Sequence, residues 1–250
     1  MRKRNKLFWV FFAIFVIAVG VGAGYYFGQK DREQVYEDLA EENKKPQEET
    51  KQEEQTTDEP AEEEKTVEIP IDFSSLKEKN SEVYAWIRIP DTQVDYPILQ
   101  RASDDLYYLD HTIDGAEGLP GSIYTQSLNA QDFSDKNTVI YGHNMRNGSM
   151  FGTFRKLHEQ SNLTSPYVWI CTPEHTWRYK IFSVHTASVT GETYTLFSMA
   201  DEQFAEYLKS MKSASELQLD AEADKDDKVI TMSTCTGNSS TRFVIQAKRL

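Results

Sequence analysis

The sequence predicts a mainly β domain, a barrel or a sandwich, set behind an N-terminal membrane helix. Three observations predict it. An uncharged run of 21 residues, Leu7–Phe27, follows a basic N-terminus. A strongly acidic stretch with few aliphatic side chains comes next. The remaining part carries eight runs rich in Val, Ile, Tyr, Phe and Trp, each bounded by Gly, Pro, Asp or Asn, over about 180 residues.

The first element is the apolar run. At about 1.5 Å per helical residue it spans roughly 32 Å, enough for a bilayer core. Trp9 near one end and Tyr25 and Tyr26 near the other suit the two interfaces. Residues 1–6 carry four basic side chains, which favours a cytoplasmic N-terminus and an extracellular remainder. The alternative is a cleaved signal peptide ending near Gly20–Gly24. The length of the run favours an uncleaved anchor at 7–27.

Charge is distributed unevenly along the 250 residues, whose formal sum is −13. Residues 1–32 hold six basic side chains and one acid, whereas 33–64 hold fourteen acids and three lysines. Residues 28–65 therefore read as an acidic flexible linker, because a chain this polar buries too little apolar surface to offset its entropy. As a coil, its 37 residues from 29 to 65 reach about 33 Å. A short helix near Val35–Glu42 is compatible with the pattern. Residues 66–250 form the folded domain. Its mild acidity argues against a nucleic-acid partner, which would need clustered Lys and Arg.

In that domain Asp72 or Ser74 caps a short helix at Phe73–Ser81. The strand-like runs are Tyr84–Ile89, Val94–Leu99, Ser122–Thr125, Thr138–Gly142, Tyr167–Thr172, Trp177–Ser188, Lys228–Ser233 and Arg242–Lys248. Helical spacing predicts short helices at Asp104–Leu109 and Ser149–His158, and a longer one at Asp201–Lys212. The last lies in a gap of nearly 40 residues between two strands, a length usually tied to function.

The chemistry-bearing residues sit at strand ends. Cys235 closes an apolar run and precedes a Gly/Asn/Ser loop, where a nucleophile meets substrate. A buried small hydrophobe or a disulfide with Cys171 are the bland alternatives. Cys171 lies inside a strand and reads as packing. Among His111, His143, His158, His175 and His185, only His143 follows a β-run directly, after Gly142. Arg242 begins the last strand seven residues beyond Cys235 and is a candidate donor to an oxyanion. No metal is expected. Asp220, Asp224, Asp226 and Asp227 lack EF-hand spacing, and the histidines lack zinc spacing. No cofactor is indicated.

The run YGHNM at 141–145, NGSMFG at 147–152, TMSTC at 231–235 and Arg242 in TRFVIQAKRL resemble the sortases, over about residues 70–250. Met232 stands where the TLxTC motif has Leu. YGHNM, GSMFG and the helical insert before the Cys strand are most similar to class B. The resemblance implies an eight-stranded β-barrel with peripheral helices. It also implies a membrane-anchored cysteine transpeptidase of Gram-positive surfaces, with Cys235, His143 and Arg242 catalytic. Ser233 and Thr236 are expected at the substrate. The implied partners are surface proteins bearing a C-terminal sorting signal, cleaved after Thr. The implied amine comes from a lipid-linked peptidoglycan precursor or a pilin. A purely hydrolytic cysteine peptidase and a non-enzymatic stalked receptor are the rival readings; neither accounts for the joint order of the motifs.

Overall fold

The computed structural model describes residues 2–43 and 71–250. Eight strands close into a barrel: β1 (Val83–Arg88), β2 (Asp95–Leu99), β3 (Ile123–Thr125), β4 (Asn137–Tyr141), β5 (Tyr167–Cys171), β6 (Thr176–Ser188), β7 (Val229–Cys235) and β8 (Thr241–Arg249). Their order around the barrel is β1-β2-β3-β4-β7-β8-β6-β5. Closure removes the free edges that an open sheet would present. The pairs β2–β3 and β4–β7 are parallel, and the others antiparallel. Every strand expected from the sequence is present, with ends moved by a few residues.

The helices are α1 (Arg2–Glu42), α2 (Phe73–Lys79), α3 (Phe154–Leu157) and α4 (Glu202–Ser213). Asp72 caps α2 by accepting the Ser74 and Ser75 N–H groups. Asp201 caps α4 through the Phe204 N–H at 2.9 Å. Phe204, Tyr207, Leu208 and Met211 of α4 pack with Phe182 of β6 and Val229 of β7 in a cluster separate from the main core. The helix expected at Ser149–His158 is reduced to α3. Met150 takes φ +53°, a left-handed turn geometry that an α-helix cannot contain. The helix expected at Asp104–Leu109 is a single 3₁₀ turn, Tyr107–Leu109.

Among the described residues one helix, α1, is long and apolar enough to cross a membrane. Its large apolar side chains from Trp9 to Phe27 are exposed. The expected flexible linker needs correction over residues 28–43: α1 continues without interruption to Glu42, and Asn43 follows in a turn. No Gly or Pro breaks the sequence between Gly28 and Pro46. Tyr36 and Leu39, 2% and 1% exposed, join the barrel's main core. Arg32 donates to Leu119 O at 2.7 Å, and Asp72 N donates to Asn43 Oδ1 at 3.0 Å. The rest of the expected linker, 44–65, lies outside the described residues.

Candidate active site

Register brings the three strand-end residues together. Along β7, Ile230 and Met232 enter the core, so Thr231, Ser233 and Cys235 face the other way. The parallel pairing with β4 sets Tyr141 opposite Ser233. Extending it by two residues puts His143 beside Cys235. The chains stay joined there, because Gly142 N donates to Ser233 O at 3.2 Å and Asn144 Nδ2 to Cys235 O at 2.6 Å. On the other side of β7, Cys235 pairs directly with Arg242 of β8. A nucleophile, a titratable ring and a guanidinium thus occupy three neighbouring strand ends at one rim of the barrel.

Gly142 makes the close approach feasible. A Cβ there would lie 2.4 Å from Ile123 Cδ1 and 2.9 Å from Phe151 Cδ2. The His143 ring is anchored by Nε2, 2.5 Å from Leu109 O. A carbonyl only accepts, so Nε2 carries the proton and Nδ1 is the nitrogen left to take or give one. Arg242 Nη1 donates to Thr241 O at 2.7 Å and to Ser239 O at 3.2 Å. Its Nε and Nη2 have no hydrogen-bond partner among the described residues, so those donors stay available.

Cys235 is exposed and free; Cys171 is free and buried on β5. The two do not form a disulfide. Burial pushes the Cys171 thiol up, which keeps it protonated and inert. The other histidines are occupied elsewhere. His185 is buried between Ser183 Oγ and Thr193 Oγ1. His158 Nδ1 pairs with Glu216 at 2.8 Å, and His111 Nδ1 with Asp110 at 2.7 Å. His175 lies in the turn joining β5 and β6. Among the described residues no group of three or more His, Cys, Asp or Glu is placed to hold a metal ion.

Ser233 is buried rather than open to the groove, and its hydroxyl lies 2.9 Å from that of half-buried Tyr194. Thr236 spends its hydroxyl inside the β7–β8 loop, 2.7 Å from Thr241 Oγ1 and accepting Asn238 N–H at 3.1 Å. Sequence reading missed Tyr194, Tyr141 and Tyr124. Tyr141 stacks on Tyr124 at 5.4 Å and on Tyr194 at 6.5 Å, a row of rings beside Ser233. Burial raises all three phenols above their ordinary range, so they remain protonated donors. For Tyr194 the Ser233 bond and the Arg242 charge partly offset the rise, and Cys235 adds to it. It is the start of the long insert, through Tyr194, that reaches the site; α4 packs against the outside of β6 and β7. The alternation of Tyr141 with core Ile140 was the signal available for Tyr141. Nothing local marks Tyr194.

A family profile described as a sortase domain matches residues 87–250. The chain is 34% identical over 191 residues to sortase B of Listeria monocytogenes, covering 72% of this chain and 75% of that one. It is similar to a structure of sortase B from B. anthracis in complex with AAEK1, with TM-score 0.72 and 25% identity, covering 90% of this chain and 99% of that one. It shares its fold with a Staphylococcus aureus sortase B–substrate complex, with TM-score 0.66 and 23% identity, over 71% of this chain and 84% of the other.

Proposed function

The chain belongs to the sortase family, within class B, and is a cysteine transpeptidase; from this premise we propose that Cys235, His143 and Arg242 carry out its chemistry on a C-terminal sorting signal. The observation that carries the assignment is the register at the end of β7, with Ser233 opposite Tyr141 of β4 and Cys235 opposite Arg242 of β8. The Cys235 thiolate attacks the carbonyl that follows Thr in the signal. Arg242 Nε and Nη2 meet the developing oxyanion, where a fixed donor is worth most. His143 gives its proton to the leaving amine, which departs with the C-terminal fragment, and an acyl-thioester remains on Cys235. The incoming amine then attacks that thioester, loses its proton to His143, and expels the thiolate. Transfer outruns hydrolysis when the amine is held in place and water is poorly activated.

In this reading α1 is a single-pass anchor with residues 1–6 cytoplasmic and the barrel outside. That places the site where exported proteins and a lipid-linked cell-wall precursor, or a pilin amine, meet it. The row Tyr124–Tyr141–Tyr194 lines the approach to Cys235. The Tyr194 hydroxyl offers a polar contact suited to an Asn side chain in a signal of the Asn-Pro-x-Thr type, the usual class B motif. An apolar Leu would forgo that one hydrogen bond, worth about 0.5–1.5 kcal/mol, while Tyr194 keeps its bond to Ser233.

The test uses the full chain in detergent with Asn-Pro-x-Thr and Leu-Pro-x-Thr peptides and candidate amines, products read by mass. Amide products, and kcat/KM higher on the Asn peptide by up to about tenfold, are expected. Free acid alone would refute transfer. Equal or reversed preference would refute the motif and leave the Cys–His–Arg chemistry intact.

A further inference from the structure

Two separate supports hold His143, and both lead back to one side chain on the membrane helix. The first support runs through Leu109, whose carbonyl accepts the His143 ring proton. Leu109 ends the 3₁₀ turn Tyr107–Leu109, which packs backbone to backbone against Gly121. A Cβ at Gly121 would lie 2.6 Å from Leu109 O and 2.9 Å from Tyr108 O. Ser122 ties the same segments together, its N–H donating to Tyr108 O at 2.9 Å and its Oγ to His111 O at 2.8 Å. At the centre of this junction sits the Tyr36 hydroxyl. It lies 2.8 Å from Gly121 O and 2.8 Å from Ser122 Oγ, and it accepts the Ile113 N–H at 3.1 Å.

The second support is the loop that His143 opens. Phe151 N donates to His143 O at 2.9 Å, and Met150 N donates to Tyr96 Oη at 3.0 Å. The Tyr96 ring stands edge-on to the Tyr36 ring, 5.8 Å away at 83°. Glu33, one turn earlier on α1, accepts Asn147 Nδ2 from the same loop at 2.8 Å. The Tyr36 hydroxyl thus serves the first support and its ring the second.

We propose that Tyr36 is a positioning residue for His143, so that the helix crossing the membrane is also part of the active-site scaffold. The proposal rests on the reading of His143 as proton carrier. Its physical content is that the ring must be held in one rotamer, and directional hydrogen bonds from a hydroxyl to the backbone hold it better than apolar contact alone. Tyr36 is nine residues beyond Phe27, about 14 Å along a continuous helix. The orientation of the anchor and the seat of the histidine are therefore set by one rigid element. The hydroxyl meets one carbonyl, one hydroxyl and one backbone N–H, all on the segments that seat Leu109, and a phenylalanine there would make none of the three.

Tyr36→Phe keeps the ring and removes only the hydroxyl. In the full chain held in lipid nanodiscs, we expect kcat on a sorting-signal peptide to fall about tenfold with KM within about twofold. We also expect the His143 ring ¹⁵N resonances to move, as Nε2 loses its fixed acceptor. Leu208→Ala, in the separate cluster beneath α4, serves as a control with a matched loss of Tm and unchanged kcat and resonances. Two results overturn the proposal: unchanged kcat and His143 resonances in Tyr36→Phe, or Leu208→Ala reproducing the same changes. His143→Ala in the otherwise native chain separates this from the reading beneath it. If that variant retains turnover, His143 is not the proton carrier, while the resonances of Tyr36→Phe still decide whether Tyr36 positions the ring.

Discussion

Replacing Leu39 by alanine tests whether the second half of α1 is part of the domain or only leans on it. Leu39 is 1% exposed and packs in the main core beside Tyr36. Losing three carbons of buried side chain removes about 2.4 kcal/mol of transfer free energy, and the cavity left behind brings this to about 2.7–5 kcal/mol. The cost need not reach the barrel. Few side chains dock α1, so the cheapest response is for the helix to lift off while the barrel stays closed, a local opening of the kind amide exchange resolves. Ile113 reports that opening directly, because its N–H donates to the Tyr36 hydroxyl. So does Asp72, whose N–H donates to Asn43 Oδ1. At 1.36 kcal/mol per factor of ten, Leu39→Ala should speed exchange at both amides about 100- to 5,000-fold, with β7 and β8 amides unchanged. The assay is hydrogen exchange of the full chain in nanodiscs, read amide by amide. Exchange at Ile113 within about threefold of wild type would refute the docked-helix reasoning. Uniform acceleration over the whole barrel would refute the claim that α1 opens on its own.

Two further outcomes follow from the thiols and the buried histidine. Cys235→Ala should abolish acyl-enzyme formation while Tm stays within a few degrees; Cys171→Ala should keep activity, and an alkylating reagent at neutral pH should label Cys235 alone by mass, since burial raises the Cys171 thiol. Burial lowers His185 from 6.5 to about 4, so the unfolded chain binds its proton first as pH falls. The stability this neutral ring supports is full above about pH 6.5 and is lost between there and about pH 4, on the order of 3 kcal/mol. His185→Gln should flatten that part of a urea-denaturation pH series, and an unchanged slope would show that another group sets it.

The barrel was legible in the sequence because its strands are short, rich in β-branched and aromatic residues, and punctuated by turn formers. That Cys235, His143 and Arg242 come near one another was legible for a related reason: each lies within two residues of a strand end, and strand register brings those ends together. What failed had a different physical origin. Met150, Phe154 and Leu157 are spaced as on a helix, yet the left-handed backbone at Met150 turns the chain before α3 can start. Tyr194 was invisible because its contact with Ser233 depends on the path of a long insert, which no local periodicity encodes.

Residues 28–43 teach the sharper lesson. Composition made them a tether, since most of their side chains are polar. Composition averages over a helix's whole circumference, however, and docking needs only one narrow stripe. Val35, Tyr36 and Leu39 supply it: Tyr36 and Leu39 are three residues apart, and Val35 and Leu39 four, so they project from one side. The acids that dominate the segment, such as Glu37, Asp38 and Glu41, fall on the remaining faces, where they stay hydrated at little cost. Net charge and mean polarity therefore say how a segment meets water. Whether it also meets a barrel is decided by two or three side chains and by the absence of a helix breaker between them and the apolar half of α1.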